Sequence, residues 1–288
     1  MPQTVFITGC SSGIGNALAK TFMQAQWRVG VTARNLQDLN MLTEQGAIPF
    51  ALDVTNESSM KTALESFVSR VGTLDMLINN AGYGAMGPLA EMPLSEIRKQ
   101  METNLTGQLA LIQIAVPHMI RQKSGRIVNM GSVSGVLPTP FSGAYAASKA
   151  ALHAASDALR LELSPFGIEV ITVQPGGIAS KFADNAEKTL NQTTQGLHHF
   201  AAAQNAISRR TRISQEGAMD LELFAQKLTT ILTREKIPPL IRLGTHSRLL
   251  PFLAKWFPFG IRDTILKRKF ALDDSISKEA EEVKKPGY

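Results

Sequence analysis

The sequence predicts an α/β protein, a doubly wound parallel sheet of about seven strands with helices on both faces and a C-terminal helical extension. Three observations predict it. Short, often β-branched apolar runs recur up to Leu243, each apolar on both sides, as a strand covered by helices on both faces must be. Helix-like segments separate them, the alternation that parallel crossover connections produce. A cluster of glycines follows the first run directly, where such a sheet turns into its first helix.

In chain order the strand candidates are Val5 to Thr8, Arg28 to Thr32, Ile48 to Leu52, Met76 to Asn79, Arg126 to Met130 and Glu169 to Gln174. The first passes through its glycines into a helix-like stretch, Asn16 to Gln26. Phe141 to Ser164 is rich in Ala and Leu and is followed by Pro165 and Gly167, so it predicts a long helix. A seventh run, Pro239 to Leu243, follows the helix-like Met219 to Arg234; Pro238 and Pro239 restrict it to an edge strand. Two regions break the rhythm. Ala179 to Gly217 is polar, rich in Asn, Gln and Thr, and lacks a sustained period, which predicts a mobile, lid-like loop with short helices. Leu249 to Phe270 mixes aromatic residues and leucines with prolines and basic residues, and Ser275 to Tyr288 predicts a frayed, charged tail. The organisation expected is one domain over residues 1–248, with the lid at 179–217, and an extension at 249–288 that is not an independent domain.

Of 288 residues, 44% are hydrophobic and 19% charged, enough apolar material for a core and far from a disordered composition. Cys10 is the only cysteine, so neither an intramolecular disulfide nor a cysteine-based metal cluster can form. That fits a reducing compartment, and a cytoplasmic location is expected. Residues 1–8 show no secretory pattern. Leu249 to Ile261 carries Lys255 and is broken by Pro251 and Pro258, well short of the roughly 20 apolar residues of a spanning helix. The net charge of +6 is spread along the chain without a nucleic-acid motif, so no nucleic-acid partner is expected. The clusters Arg209, Arg210, Arg212 and Lys267 to Lys269 read as solvated surface.

Thr8-Gly9-Cys10-Ser11-Ser12-Gly13-Ile14-Gly15 lies between the first strand and its helix. Glycines there permit positive φ and close approach of a ligand, while the helix N-terminus offers free N–H groups to phosphate oxygens. A dinucleotide pyrophosphate is the natural guest at this place in a doubly wound sheet, although the spacing departs from Gly-x-Gly-x-x-Gly. Cys10 reads as a small space-filler. The second strand ends Thr32-Ala33-Arg34-Asn35, with no acid before Asp38. Arg34 suits a ribose 2′-phosphate and Ser11 and Ser12 can add hydroxyls, so NADP(H) is preferred, with NAD(H) left open.

Tyr145 and Lys149 are four apart in the predicted long helix and share a face. A phenol is a weak base at neutral pH, and a nearby ammonium favours its ionised form, which makes Tyr145 the acid/base and Lys149 its tuner. The fifth strand ends Gly131-Ser132-Val133-Ser134-Gly135, on the same sheet edge as the glycine loop. The Ser132 hydroxyl there can hold a substrate carbonyl while Tyr145 supplies the proton and the nicotinamide the hydride.

Thr8 to Gly15, Asn79-Asn80-Ala81-Gly82, Asn104, Ser132, the Tyr145/Lys149 pair and Pro175-Gly176 resemble, in order, the motifs of the short-chain dehydrogenase/reductase family, whose sheet is of the Rossmann type. The resemblance covers about residues 4–182. It implies a tetrad in which Asn104 holds a water relaying protons to Lys149, while Asn79 braces the central strands. It also implies that Asp53 and Val54 border the adenine, that Asn80, Ala81 and Gly82 line the cofactor, and that Lys149 binds the nicotinamide ribose. Pro175, Gly176 and Ile178 then lead to Ser180, which stands where the family usually has a threonine near the cofactor amide. The glycine loop, the Thr-Ala-Arg strand end and the tail after residue 240 are similar to a bacterial branch resembling hydroxysteroid and retinol dehydrogenases. That implies a hydrophobic alcohol or its ketone or aldehyde as substrate, steroid-, retinoid- or fatty-aldehyde-like, with Met86, Leu137, Phe141 and Phe182 near the mouth, and a homodimer or homotetramer.

His198 and His199 read as a solvated pair, and no metal is expected, because further ligands at suitable spacing are missing. His153, one turn after Lys149, reads as a helix-surface or subunit-interface residue. Leu249 to Ile261 is a pocket cover, a subunit interface or a peripheral membrane contact. Three other functions are weighed against hydride transfer to a hydrophobic carbonyl. One is a dinucleotide-sensing protein without turnover, which the complete acid/base set opposes; the others are a 3-oxoacyl thioester reductase and a sugar-nucleotide epimerase or dehydratase.

Overall fold

The computed structural model describes residues 2–270 and 272; the tail expected from Ser275 to Tyr288 lies outside the described residues. Seven strands, β1 (Thr4–Ile7), β2 (Arg28–Ala33), β3 (Ile48–Ala51), β4 (Met76–Asn79), β5 (Gly125–Met130), β6 (Ile168–Pro175) and β7 (Leu240–Leu243), form one sheet in the order β3-β2-β1-β4-β5-β6-β7. Every neighbouring pair is parallel. The chain winds outward from β1 to β3 and then returns to place β4 on the other side of β1, which opens a crevice at the carboxyl ends of these two strands. The seventh run is an edge strand, as its prolines require.

The helices are α1 (Gly13–Gln24), α2 (Asn40–Glu44), α3 (Glu57–Val71), α4 (Leu94–Met101), α5 (Gly107–Gln122), α6 (Gly143–Glu162), α7 (Phe182–Lys188), α8 (Leu190–Thr193), α9 (Gln204–Arg212), α10 (Leu221–Leu232), α11 (Leu249–Trp256) and α12 (Phe259–Lys269). Successive strand residues point to opposite faces, and the core divides accordingly. Val5, Ile7, Met76, Ile78, Val128 and Met130 meet Leu18 and Phe22 of α1 and Phe224 and Leu228 of α10. Phe6, Leu77, Ile127 and Val170 meet Leu64 and Phe67 of α3 and Leu111 and Ala115 of α5. Gly30 in β2 makes room for this second layer: a Cβ there would lie 2.7 Å from the rings of both Phe6 and Phe67.

Between α4 and α5 the helix widens into a π turn, Glu102–Thr106, with Asn104 inside it. The long helix predicted from Phe141 starts at Gly143 instead. A turn in which Ser142 N–H donates to Thr139 O precedes it, and Phe141 sits there at φ 62°, outside helical space. Region 179–217 is built from short helices, α7 to α9, as its lack of a sustained period suggested. It is anchored to the body by Phe141, which packs with Ala203, Ile207 and Phe270. Pro251 does not break the extension, because it falls in the first turn of α11, where a missing N–H costs no helical bond. No described helix is long and apolar enough to cross a membrane.

Candidate active site

One cavity of about 1350 Å3 runs along the carboxyl ends of β1 to β6, larger than a site for a single small ligand needs. Its end nearest the glycine loop is set by the turn after β1. Gly9 and Gly13 have φ of 71° and 60°, which glycine adopts freely. The hydroxyl of Thr8 accepts the backbone N–H groups of Asn80 and Ala81 at 2.9 Å each, and the Asn80 side chain donates to Thr8 O at 2.9 Å and Gly9 O at 3.1 Å. Two loops that carry the motifs are thereby cross-linked. A Cβ on Gly15 would sit 2.3 Å from Gly9 O and 2.5 Å from Asn80 Nδ2. Ser12, the residue before α1, makes no side-chain cap, so the first N–H groups of the helix remain available at the cavity. A cradle closed by glycines, facing uncapped helix amides, fits a pyrophosphate.

Gly9, Ser11, Ser12, Gly13, Ile14, Arg34, Asp53, Val54, Asn80, Ala81, Gly82, Pro175, Gly176, Ile178 and Ser180 all line this cavity. Gly15 does not. It is buried behind the loop, and its part is to let the loop close. Arg34 is exposed at the end of β2. Asp53 accepts from Thr55 N and Thr55 Oγ1 through the same oxygen, which holds the turn after β3. Ser180 N donates to Gln215 Oε1 and Gln215 Nε2 donates to Ile178 O, so Gln215 fixes the segment after β6. Cys10 Sγ donates to Ile7 O and burial pushes its thiol up to about 12, in keeping with a space-filler.

Ser132, Tyr145 and Lys149 share the other part of the wall. Ser132 Oγ accepts Ser134 N–H at 3.1 Å, which leaves the hydroxyl proton free to be donated to a ligand. The Tyr145 ring lies 5.3 Å from that of Phe182. Burial raises the phenol's pKa most; neighbouring Ser132 and the charge of Arg210 act in the opposite direction. Lys149 Nζ donates to Met130 O at 2.6 Å. Burial lowers the Lys149 ammonium to about 8. Asn104 is fully buried behind this wall. Its Oδ1 accepts Tyr83 N–H at 3.1 Å, and its Nδ2 donates to Tyr83 O and Ser148 Oγ. A Cβ on Gly82 would lie 3.0 Å from Asn104 Oδ1 and 3.7 Å from Lys149 Nζ, so both groups flank one point. Asn79 Nδ2 donates to Asn129 Oδ1 at 2.9 Å, bridging β4 and β5.

Three readings change. His153 does not stand free on the helix surface but is half-buried: its ring packs against Gly131 and Gly135, where a Cβ would come within 2.3 and 2.7 Å of it, and its Nε2 accepts Ser132 N–H. Burial lowers His153 to about 4, so it stays neutral and an acceptor. Phe141 belongs to the packing behind region 179–217, whereas Met86, Leu137 and Phe182 do line the cavity. Arg210 is not solvated. It is only 6% exposed and sits in the cavity wall, with its Nε donating to Thr139 Oγ1 at 2.8 Å. His198 and His199 are exposed; their backbone N–H groups donate to the Glu91 carboxylate and tie region 179–217 to the loop before α4.

The family model for short chain dehydrogenases matches residues 3–191. The 3-ketodihydrosphingosine reductase of Bacteroides thetaiotaomicron is 32% identical over 278 residues, covering 94% of this chain and 99% of its own. The NADPH-dependent 1-acyldihydroxyacetone phosphate reductase of Schizosaccharomyces pombe is 39% identical over 224 residues, covering 77% and 75%. A solved short-chain dehydrogenase from Streptomyces avermitilis superimposes with a TM-score of 0.75 at 27% identity, over 96% of this chain and 99% of that one.

Proposed function

Because the chain belongs to the short-chain dehydrogenase family, an oxidoreductase family that binds NAD(P)(H), we propose that it uses NADP(H) in preference to NAD(H) to interconvert a hydrophobic, lipid-like ketone or aldehyde and its alcohol. The convergence of Ser132, Tyr145 and Lys149 on the cavity that also holds the glycine cradle carries this reading. The bound nicotinamide supplies or accepts the hydride. Ser132 donates its free hydroxyl proton as a hydrogen bond to the substrate oxygen, and Tyr145 delivers or removes the proton at that same oxygen. Lys149 holds the ribose and, with Asn104 and a water between them, restores the proton on Tyr145; Gly82 supports this, since it keeps a side chain out of the point that both groups flank. Ser11, Ser12, Gly13, Ile14 and the residues after β4 and β6 hold the pyrophosphate and nicotinamide, and Arg34 holds the 2′-phosphate. Asp53 and Val54 border the adenine.

Met86, Leu137 and Phe182 support a hydrophobic substrate, as do the relatives whose names specify a ketodihydrosphingosine and an acyldihydroxyacetone phosphate. Trp256 and Phe259 are exposed beside Lys255 and the basic end of α12, near Leu249 and Leu253 at the cavity; this supports contact with a lipid surface that supplies the substrate. A cytoplasmic homodimer or homotetramer completes the reading. The test is turnover of long-chain ketones and aldehydes by purified protein with NADPH and with NADH. NADPH-dependent reduction, lost at least about 100-fold in Tyr145→Phe, is the expected result. An unchanged variant refutes the mechanism, and equal use of NADH refutes the cofactor preference.

A further inference from the structure

Arg210 is a guanidinium in an expensive place. Its side chain descends from α9 into the cavity wall that holds Tyr145 and is only 6% exposed. Among the described residues it has one hydrogen bond, from Nε to Thr139 Oγ1, and no carboxylate within salt-bridge distance. Thr139 is itself held by Ser142, so the contact orients the guanidinium without neutralising it. Burying a charge without a counterion costs several kcal/mol, and such a charge is kept where something else repays the cost. Burial lowers Arg210 only to about 10, so it remains a cation at neutral pH. The terminal amino groups form a planar fork, which matches the two oxygens of a phosphate or carboxylate. The glycine cradle and Arg34 follow β1 and β2, whereas Arg210 shares its stretch of wall with Tyr145, whose phenol its charge reaches.

We propose that Arg210 grips an anionic group, phosphate or carboxylate, that the substrate carries close to its reacting carbonyl. The substrate class is then an amphiphile with an apolar chain along Met86, Leu137 and Phe182 and an anion near the carbon that changes oxidation state. This rests on the carbonyl reductase reading above and deepens it. Thr139 is a positioning residue for the fork.

The test compares three ketones with the same alkyl chain, bearing beside the carbonyl a phosphate, a carboxylate or an uncharged hydroxyl, each assayed with NADPH. Wild-type enzyme is expected to favour one of the two anions over the hydroxyl ketone by at least about 10-fold in kcat/KM, about 1.4 kcal/mol; which of them it favours identifies the group. In Arg210→Met the ratio of anionic to uncharged kcat/KM falls at least about 10-fold, whatever happens to the uncharged rate, and Arg210→Lys keeps part of it. Wild-type enzyme that reduces the uncharged ketone as well as both anions overturns the assignment and leaves the reductase reading standing. So does an Arg210→Met variant that slows all three equally with a shifted pH profile, because that result makes Arg210 a tuner of Tyr145. Enzyme that reduces none of the three overturns both readings. The wild-type comparison stands even if the variants fail to fold.

Discussion

The glycine-loop end of the cavity, proposed to hold the nucleotide, and the Tyr145 end, proposed to hold the substrate, are built by different means. At the nucleotide end the walls are backbone: Gly9 and Gly13 in left-handed conformations, Gly15 wedged against Gly9 O, and Thr8 and Asn80 tying two loops together with four hydrogen bonds of 2.9 to 3.1 Å. At the substrate end the walls are side chains from short helices, held by apolar packing around Phe141, Ile207 and Phe270 and by a few polar ties such as Glu91 to the backbone of His198 and His199. A backbone site admits few sequences and serves a constant ligand. A side-chain site tolerates exchange and can be fitted to different substrates.

Breaking the nucleotide end is expected to have the largest effect. Gly15→Ala drives a methyl into a carbonyl oxygen and should cost about 3 kcal/mol of stability, read as a shift of the urea midpoint, with nucleotide affinity lowered by fluorescence titration. Thr8→Val keeps the shape and removes the shared acceptor of two N–H groups, so a loss of about 2 kcal/mol is expected. A loss below about 0.5 kcal/mol would show that the cross-link is not what holds the loops.

Lys149 stands between the two ends and gives a prediction of opposite sign. Its folded pKa of about 8 lies below the ordinary 10.5, so the burial penalty on the ammonium is fully present below pH 8 and is relieved between about 8 and 10.5, where the folded lysine deprotonates first. Lys149→Met should therefore be more stable than wild type at pH 7, by about 2 kcal/mol after allowing for the lost bond to Met130 O, with the advantage shrinking above pH 8. It should also be inactive. Denaturant melts at pH 7 and pH 10 check the sign.

The smallest stability effect belongs to the substrate end. Phe182→Ala removes a half-buried ring beside Tyr145 and should change stability by about 1 kcal/mol or less, while raising KM for a long-chain ketone about 10-fold. A stability loss as large as that of Gly15→Ala would erase the contrast between the two ends.

The same contrast explains what could be read in advance. Glycines that need positive φ, strands apolar on both faces, and a Tyr and Lys one turn apart are local requirements, so the sheet, its edge strand at β7 and the glycine loop along the cavity are legible. Arg210 is not, because three arginines in a polar stretch look solvated. The available signal was periodic: Ala203, Ile207, Arg210 and Thr211 fall on one helical face, and all four are buried. The place of His153 is hidden from the sequence for a similar reason. That a ring fills the space beside Gly131 and Gly135 is a contact between distant segments, and no local pattern announces it. α6 starts two residues after Phe141 because the turn at Thr139 to Ser142 is held by its own hydrogen bonds, which composition does not reveal.

The π turn at Glu102–Thr106 has a consequence for insertions and deletions. Each residue of an α-helix advances its side chains by about 100°, so the extra residue in a π turn sets the azimuth of α4 against that of α5. Deleting a single residue there, Thr103 for example, would convert the segment to uninterrupted α-helix and rotate one half against the other. Either the α5 face that meets α3 or the α4 face that meets α6 would turn toward solvent. Length between Leu94 and Gln122 is therefore constrained more tightly than residue identity, and natural variation in this segment should consist of exchanges and not of gaps.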